Sequence, residues 1–428
     1  MIDVFASDMP EYPTPKQLAY YGRPLFGALL SEGSVLEEVV KLAEIKLTGT
    51  KRDEKYAILA QLACLAAIKF SPLTKLAQTL VADHMATVLG IAANRSEVYF
   101  TYPSEPFLAA GALNALKTDS QWAKSIDVLV DALHRGIAHG GECGEIAVRL
   151  AVLRAMQQTK GSIFGEPVTV SQFFTQLIFG GERSAKRQKL GRSKLPVVNR
   201  QYFDFIQDAY ILELTLGIIG SGEVAFNHFL TLWGKPSQCR IDPTLLKTCW
   251  MRRAAITLPR NNRSIDLILP VRLKNGLYSC ITIQVMNQES ENPREILVNS
   301  ENMESCVVNW FDEHIPKHLH LYISLRREHV GIWGCSSSPT VPFSLRYSSH
   351  SHNNSAIYRF MSNYRSFRFE ESLLAALERL CVSETIALPE EVIRVNYYDG
   401  QGNPKCQQPF DRSVIVTPFL KTNLVSTD

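Results

Sequence analysis

The chain has 428 residues, of which 46% are hydrophobic and 20% are charged, and its formal net charge is +3 at pH 7. This composition is typical of a folded protein with an apolar core and excludes a mainly disordered chain. With so small a net charge, nucleic-acid binding would depend on a local basic patch and not on the field of the whole molecule. The length predicts two folding units.

The start of the chain and its cysteines indicate where the protein is found. The opening MIDVFASDMPEYPTPKQ has acids and prolines where a signal peptide needs a basic start and an apolar core. No stretch of about eighteen residues is apolar and free of charge, so we expect no membrane span and no membrane partner. Nine cysteines are scattered singly, which is typical of free thiols in a reducing compartment, and we expect a nuclear or cytoplasmic protein.

Residues 1–182 are predicted to form an α-helical domain. Residues 54–70 are rich in alanine and leucine, with apolar side chains nearly all round, which favours a helix buried between others. Residues 73–89 continue in the same style. In 145–157 the apolar residues recur at helical spacing, and Glu145 and Arg149 are predicted to form an i,i+4 pair on the side of that helix.

A basic linker is predicted at 183–200. Its run RSAKRQKLGRSK has six basic residues and no acid: Arg183, Lys186, Arg187, Lys189, Arg192 and Lys194. Such a density is typical of a nuclear import signal or of a loop that contacts phosphates, so these six residues are the predicted nucleic-acid-binding set. A solvated linker between domains explains the same pattern equally well.

Residues 201–428 are predicted to form a mixed α/β domain. Residues 204–233 are predicted to be helical with a break at 217–222, and 243–250 to add a short helix. The hydrophobic spacing then changes from about 3.6 to 2, which indicates strands. These strands are predicted at 253–258, 264–271, 277–285 and 318–325. The second and third are joined by Asn275-Gly276, a strong hairpin signal, so a β-meander is expected.

Within this meander, Asp266 lies in one predicted strand and Gln284 and Met286 lie in the next. Side chains alternate along a strand, so Gln284 and Met286 are expected on one face. A metal-dependent nuclease needs oxygen ligands for Mg²⁺ and a nearby cation, and an acid on one strand with (acid or amide)-x-Lys on its neighbour supplies them. An ordinary hairpin, with a capping or solvent-facing Asp266 and a merely polar Gln284, remains an alternative.

At these residues the sequence resembles the PD-(D/E)XK, or restriction-endonuclease-like, superfamily, in the variant in which glutamine replaces the acid of the second strand. The segments YYGRPLFGALL, TYPSEPFLAAGA, GEIAVRLAVLRAM, FNHFL and IDLILPV with ITIQVMN are similar to those of fungal proteins akin to Crinkler and retrotransposon-hot-spot proteins. The resemblance extends over most of the chain. It implies an α+β fold, in which an N-terminal α-helical bundle precedes a restriction-endonuclease-like domain with a central β-meander.

The resemblance also implies a site. Asp266 and Gln284 take the metal positions, where Mg²⁺ would bind if the protein is active, and Met286 takes the position of the catalytic lysine. A thioether carries no charge and donates no hydrogen bond, so the site is degenerate and its activity is expected to be weak or lost. Arg272 or Lys274 of the hairpin are the candidates for a substitute cation.

The nuclease pattern also includes a helix glutamate, for which the sequence offers Glu213 and Glu223, with Glu145 farther away. None is distinguished by its spacing, and each is interpreted as a solvated helix charge. The histidines at 314, 318 and 320 have no matching set of metal ligands and are interpreted as surface residues. No G-x-S-x-G motif indicates a hydrolase triad.

Two functions therefore stay open. The first is a nuclease-like, nucleic-acid-associated protein with an impaired metal-dependent phosphodiesterase site, for which DNA is favoured over RNA. The second is a non-catalytic effector, or an interaction protein derived from a mobile element, that uses the helical half as a surface for a protein partner. The methionine at position 286 favours the second.

Overall fold

The computed structural model describes residues 12–49, 54–70, 74–91, 97–135, 143–179, 219–232, 240–258, 265–286, 311–312, 315, 318–324 and 358–363. Over these ranges the chain has an α+β fold, with a mostly helical N-terminal half followed by a mixed sheet. Every helix in the same ranges falls short of the length and apolarity needed to cross a bilayer.

Helices near 54–70, 145–157 and 243–250 agree with the stretches predicted from the hydrophobic spacing. The helices named in the described ranges are α1 Pro15–Leu18, α2 Pro24–Ser31, α3 Leu36–Thr48, α4 Glu54–Ala66, α5 Thr74–Asp83, α6 Pro106–Ala115, α7 Asp119–His134, α8 Cys143–Lys160, α9 Val170–Phe179 and α10 Pro243–Met251. Helix α7 begins with a capping box, in which the Thr118 hydroxyl accepts from the Gln121 N–H at 3.2 Å and the Gln121 side chain accepts from the Thr118 N–H at 3.0 Å. Helix α4 is buried along most of its length, as its alanine- and leucine-rich sequence predicts.

The strands form one two-stranded and one larger sheet. They are β1 Thr87–Ile91, β2 Val98–Thr101, β3 Val168–Thr169, β4 Glu223–Val224, β5 His228–Thr231, β6 Ala254–Thr257, β7 Leu267–Arg272, β8 Tyr278–Met286, β9 Leu319–Ser324 and β10 Tyr358–Asn363. The larger sheet has the order β10-β9-β8-β7-β4-β3, and β6 also pairs with β7 and carries β5 on its other side. Strands β6, β7 and β8 are antiparallel, whereas β9 runs parallel to β8 and β10 parallel to β9.

The β7–β8 hairpin confirms the predicted turn. Gly276 has a φ of +80°, a conformation that side-chain-bearing residues rarely adopt. The Leu273 and Leu277 backbones close the turn with an N–H···O bond of 2.8 Å, and the Asn275 side chain accepts from the Leu277 N–H at 3.1 Å. The turn fixes the register of the two strands, which begins at Arg272 opposite Tyr278.

Each face of the central sheet has its own core. The larger core joins the N-terminal helices to one face, and its members on the sheet include Leu267, Ile281 and Ile283. The smaller core joins α10 to the other face, with Ile268 and Cys280 as members. Because alternate residues of one strand enter different cores, β7 and β8 are buried on both faces, whereas the spacing of two from which they were predicted is typical of strands buried on one face.

Two sequence interpretations are corrected. The helix expected at 204–233 is wrong where the structure describes it, because Glu223–Val224 and His228–Thr231 are strands. The stretch 73–89 was predicted to be helical throughout, but α5 ends at Asp83 and the chain then enters the β1–β2 hairpin. In both places the strands are too short for the spacing of their apolar residues to distinguish a strand from a helix. Their conformation is decided by burial and strand pairing in the folded chain.

The predicted domain boundaries fall within 180–218, outside the described residues. The helical half and the sheet nevertheless share the larger core, and β3 from the helical half pairs with β4 of the sheet. The predicted basic linker, including Arg183, Lys186 and Arg187, also lies outside the described residues, as do Lys189, Arg192 and Lys194.

Candidate functional site

Asp266 lies at the end of the central ladder, immediately before β7. Its backbone oxygen accepts from the Leu258 N–H and its backbone N–H donates to Ile283, both at 2.9 Å. Its carboxylate accepts from the Val285 N–H of β8 at 2.6 Å. Backbone N–H groups of a strand lie near the plane of the sheet. The carboxylate therefore caps the end of the β7–β8 ladder.

Gln284 is the nearest of the predicted partners. The β7–β8 register ends at Leu267 opposite Ile283, so Asp266 and Gln284 each lie one residue beyond the last pair. Gln284 is 5% exposed. Because side chains alternate, it lies on the face opposite that of Ile283 and Val285, which pack against the larger core.

Helix α8 approaches the same end of the sheet from the side of the larger core and packs against β8. Glu145 lies in its first turn and Arg149 one turn later. Burial raises the pKa of Asp266 well above its usual range, and the nearby Glu145 carboxylate raises it further. The Val285 N–H and the Arg149 guanidinium act in the opposite direction. Two carboxylates and a guanidinium thus share this end of the sheet.

Arg149 is held in place by the end of another helix. Only 2% of it is exposed. Its Nη1 donates to the Ala66 carbonyl at 2.6 Å and to the Ala67 carbonyl at 3.3 Å, where α4 ends, and its Nε donates to the Glu145 carbonyl at 3.3 Å. The last carbonyls of a helix lack intrahelical donors and form the negative end of its dipole, so they stabilise a buried guanidinium. Helix α4 therefore positions the cation beside the acid pair.

Sequence reasoning missed this arrangement in two respects. Glu145 was interpreted as a solvated helix charge, but its carboxylate acts on Asp266, more than a hundred positions away in the chain. Arg149 was expected on the side of its helix and is buried instead. The signal that points to both residues is the apolar surrounding sequence of α8, in which an acid and a base one turn apart must be accommodated within a core.

The other candidates lie elsewhere. Arg272 is at the far end of β7, where it pairs with Glu223 and contacts Tyr12, and Lys274 is in the exposed turn beyond it. Neither reaches Asp266, because β7 separates them by about 3.3 Å per residue over its whole length. Glu223 is accordingly at that far end too, and the position of Glu213 lies outside the described residues.

Met286 and His318 were also considered in the sequence analysis. Met286 occupies the last position of β8, where its backbone pairs with that of Ser324 in β9. His318 was interpreted as a surface residue, but it is buried and stacks on Phe311 with ring centroids 5.5 Å apart. Its apolar surroundings in the smaller core explain the difference.

The oxygen atoms at this end of the sheet fit a hard cation. The part of the chain that the structure describes holds no group of three His, Cys, Asp or Glu side chains able to bind a metal. Mg²⁺ is often bound by only one or two carboxylates, with waters and substrate phosphates as its other ligands. A divalent cation would also relieve the repulsion by which Glu145 raises the pKa of Asp266. Asp266 would hold it, together with either Gln284 from the smaller-core face or Glu145 from the larger-core face.

The chain was compared with known proteins. No match was found among curated proteins, and none among solved structures. One family model, described as a domain of unknown function (DUF8736), matches residues 48–184 and 213–382. The matched ranges include Glu145, Asp266 and Gln284, and they omit most of the predicted basic linker. Because the match extends over more than half of the chain, the protein belongs to the DUF8736 family.

Proposed function

We propose that this protein is nuclease-like and associated with nucleic acid, and that its metal-dependent phosphodiesterase site is impaired. The observation that carries the proposal is the acid pair of Asp266 and Glu145 at the end of the β7–β8 ladder, where the second carboxylate raises the pKa of the first. Like-charged carboxylates held near each other are costly to the fold and occur preferentially at functional sites.

The strand order supports the same proposal. The restriction-endonuclease-like resemblance implies a helix, a three-stranded meander, and a further strand after another helix. Here α10 precedes the antiparallel strands β6, β7 and β8, and β9 then runs parallel to β8. A parallel neighbour needs a crossover connection, which the chain length between β8 and β9 allows.

Each residue of the proposed site would have a separate role. Asp266 offers oxygen atoms together with either Gln284 from the adjacent strand or Glu145 from the helix. Mg²⁺ bound there would supply positive charge to the phosphate oxygens of a nucleic acid. Arg149 takes over part of the role of the missing lysine, because its guanidinium favours the ionised form of Asp266.

Arg149 cannot replace the lysine in full. A guanidinium bound to the carbonyls of α4 and 2% exposed is not free to contact a scissile phosphate. It can set the charge of the acid pair, but it cannot stabilise the charge that develops on the substrate. The proposal therefore includes slow phosphodiester cleavage or none, because Met286 stands in place of the lysine.

The experiment is cleavage of labelled single- and double-stranded DNA and RNA with Mg²⁺ or Mn²⁺. The native protein is compared with Asp266→Asn, Glu145→Gln and Met286→Lys. Asp242→Asn is the matched control, because Asp242 also accepts a backbone N–H, from Leu245 at 2.6 Å, but at the start of α10. Cleavage that is lost in the first two variants and kept in the control would support a working site.

The pattern across variants separates the two functions. If only Met286→Lys cleaves, the site is disarmed at one position and the natural protein acts as a binder. If no variant cleaves and none binds nucleic acid or Mg²⁺, the nuclease-like proposal fails and a protein-binding role for the helical half takes its place. The methionine at position 286 is the observation that keeps this second function open.

A further inference from the structure

A second polar cluster lies away from Asp266, where the helical half meets the strand β5. Ser104 lies two residues before α6, and Asn227 directly precedes His228, the first residue of β5. The Ser104 Oγ lies 2.8 Å from His228 Nε2, and His228 Nδ1 lies 2.7 Å from Asn227 Oδ1. Side chains from two distant parts of the sequence thus form a hydrogen-bonded row of serine, imidazole and amide.

The direction of each hydrogen bond in this row follows from the contacts of the Asn227 amide. The Asn227 amide nitrogen donates to the Pro106 carbonyl at 2.9 Å and to the Ile163 carbonyl at 3.0 Å, which uses both of its protons. Its Oδ1 must therefore face His228 and accept, so the imidazole proton is on Nδ1. The Nε2 lone pair is then directed at Ser104, whose hydroxyl must donate to it.

A guanidinium lies on the other side of the serine. Arg252 Nε is 3.4 Å from Ser104 Oγ, and Arg252 Nη2 donates to the Ser104 carbonyl at 2.7 Å. The same guanidinium stacks over the Tyr21 ring at 5.2 Å, which fixes its plane. Positive charge next to Oγ favours negative charge on that oxygen or on an oxygen of a bound electrophile.

Access to the cluster differs from one residue to the next. His228 and Asn227 are each 1% exposed, whereas Ser104 and Arg252 are partly exposed. Ser104 is therefore partly open to solvent as a residue, whereas the imidazole is buried. This is the order of exposure that a nucleophile and its base require.

We infer that Ser104 is a nucleophile, with His228 as its base, Asn227 as the positioning residue of the imidazole and Arg252 as the cation for the developing oxyanion. The substrates it fits are activated carboxylic or phosphoric esters. In the step, Ser104 Oγ forms a bond to the electrophilic carbon or phosphorus, and the bond to the leaving group breaks with its electron pair. The serine proton passes to His228 Nε2 and from there to the leaving group. The serine does not lie on a strand-to-helix elbow, but such arrangements occur on unrelated scaffolds.

The surroundings of His228 limit the chemistry. Burial and the Arg252 guanidinium lower the pKa of His228 to about 3, against the opposing effect of a backbone bond with Arg253. The imidazole is therefore neutral at every physiological pH, and its lone pair is always available. A base of low pKa assists only electrophiles with good leaving groups, which is why activated esters are the class proposed.

The test uses the full chain and a fluorophosphonate probe, which forms a covalent bond to reactive serines with loss of fluoride. The labelled residues are mapped by peptide mass spectrometry. Ser31 is the reference, because it is exposed and hydrogen-bonds to the Tyr20 hydroxyl instead of an imidazole. We expect Ser104 to react about 100-fold faster than Ser31, as general-base assistance provides. His228→Gln should remove most of this difference, and Ser31→Ala should leave the labelling rate of Ser104 unchanged.

Labelling of Ser104 no faster than of Ser31 would overturn the inference. So would equal labelling of Ser104 in a His228→Gln variant that stays folded. Nitrogen NMR of the native protein keeps the inference testable even if that variant does not fold. A proton on Nδ1, with no titration of the ring between pH 5 and pH 8, is expected, whereas a proton on Nε2 would contradict the row.

Discussion

Asp266→Asn is expected to stabilise the protein at neutral pH while it removes the site. The amide keeps the size of the side chain and keeps an oxygen that can accept from the Val285 N–H. What it loses is the charge, which burial and the Glu145 carboxylate make unfavourable. A substitution that removes function and raises stability is a signature of a functional acid and not of a structural one.

The magnitude follows from two opposing terms. A buried charged group without sufficient hydrogen-bond partners or opposite charge costs about 1–3 kcal/mol or more of stability, and the neutral amide avoids this cost. The hydrogen bond from the Val285 N–H weakens by roughly 1 kcal/mol when its acceptor becomes neutral. The net gain is therefore about 0–2 kcal/mol at pH 7.5. In a chain longer than 250 residues this raises Tm by only a few degrees, at most about 4 °C.

The pH dependence gives the sharper test. Because the pKa of Asp266 is raised in the folded state, the folded protein holds this proton more tightly than the unfolded chain does. Stability is therefore lost as the pH rises from the unfolded value of about 3.9 through the folded value. The gain in Asp266→Asn should be largest at pH 7.5 and should vanish near pH 4.

The assay is urea denaturation of the native protein and Asp266→Asn at a series of pH values. Asp242→Asn is the control, and it should change the free energy of unfolding by only a few tenths of a kcal/mol, because Asn and Asp are similar helix caps. A loss of stability in Asp266→Asn at pH 7.5, or a gain that does not change with pH, would refute the reasoning.

Three other substitutions have expected outcomes. Arg149→Leu should lower the free energy of unfolding by about 2–4 kcal/mol, because the carbonyls at the end of α4 lose their donor, and Arg149→Lys should lower it less; urea denaturation measures both. Gly165→Ala should cost about 2–5 kcal/mol, since an added Cβ would lie 2.3 Å from the Phe226 oxygen at a φ of +60°, whereas Gly161→Ala, with open space at a φ of +67°, should cost about 1–2 kcal/mol. Between pH 7.5 and pH 4.5, His228 should lower the free energy of unfolding of the native protein by about 2.7 kcal/mol. The reason is that the unfolded chain takes up a proton on this imidazole below about pH 6.5, whereas the folded chain takes it up only near pH 3. His228→Gln should abolish this part of the acid sensitivity.

The local features of the central meander could be predicted from the sequence. Asn275-Gly276 sets the turn, and the turn fixes the register from Arg272 opposite Tyr278 to Leu267 opposite Ile283. These features depend on residues close together in the chain, for which the rules of turns and alternation are strong. The short strands β4 and β5 could not be predicted, because their conformation depends on pairing with β7 and β6 and not on their own sequence.

The acid pair depends on a different kind of information. Glu145 and Asp266 meet because α8 packs against β8, and neither residue has a local pattern that distinguishes it from a solvated charge. The pair of serine and imidazole is of the same kind, since Ser104 and His228 are brought together by the packing of α4 and α6 against the strands of the sheet. Side chains that act together across the chain are found only when the tertiary structure is known.

The acid pair also links the two halves of the chain electrostatically. Asp266 and Gln284 belong to the sheet, whereas Glu145 and the cation at Arg149 belong to the helical half. The guanidinium donates to the carbonyls at the end of α4, and it favours the ionised form of Asp266. The charge of Asp266 therefore depends on how α4 and α8 pack in the helical half.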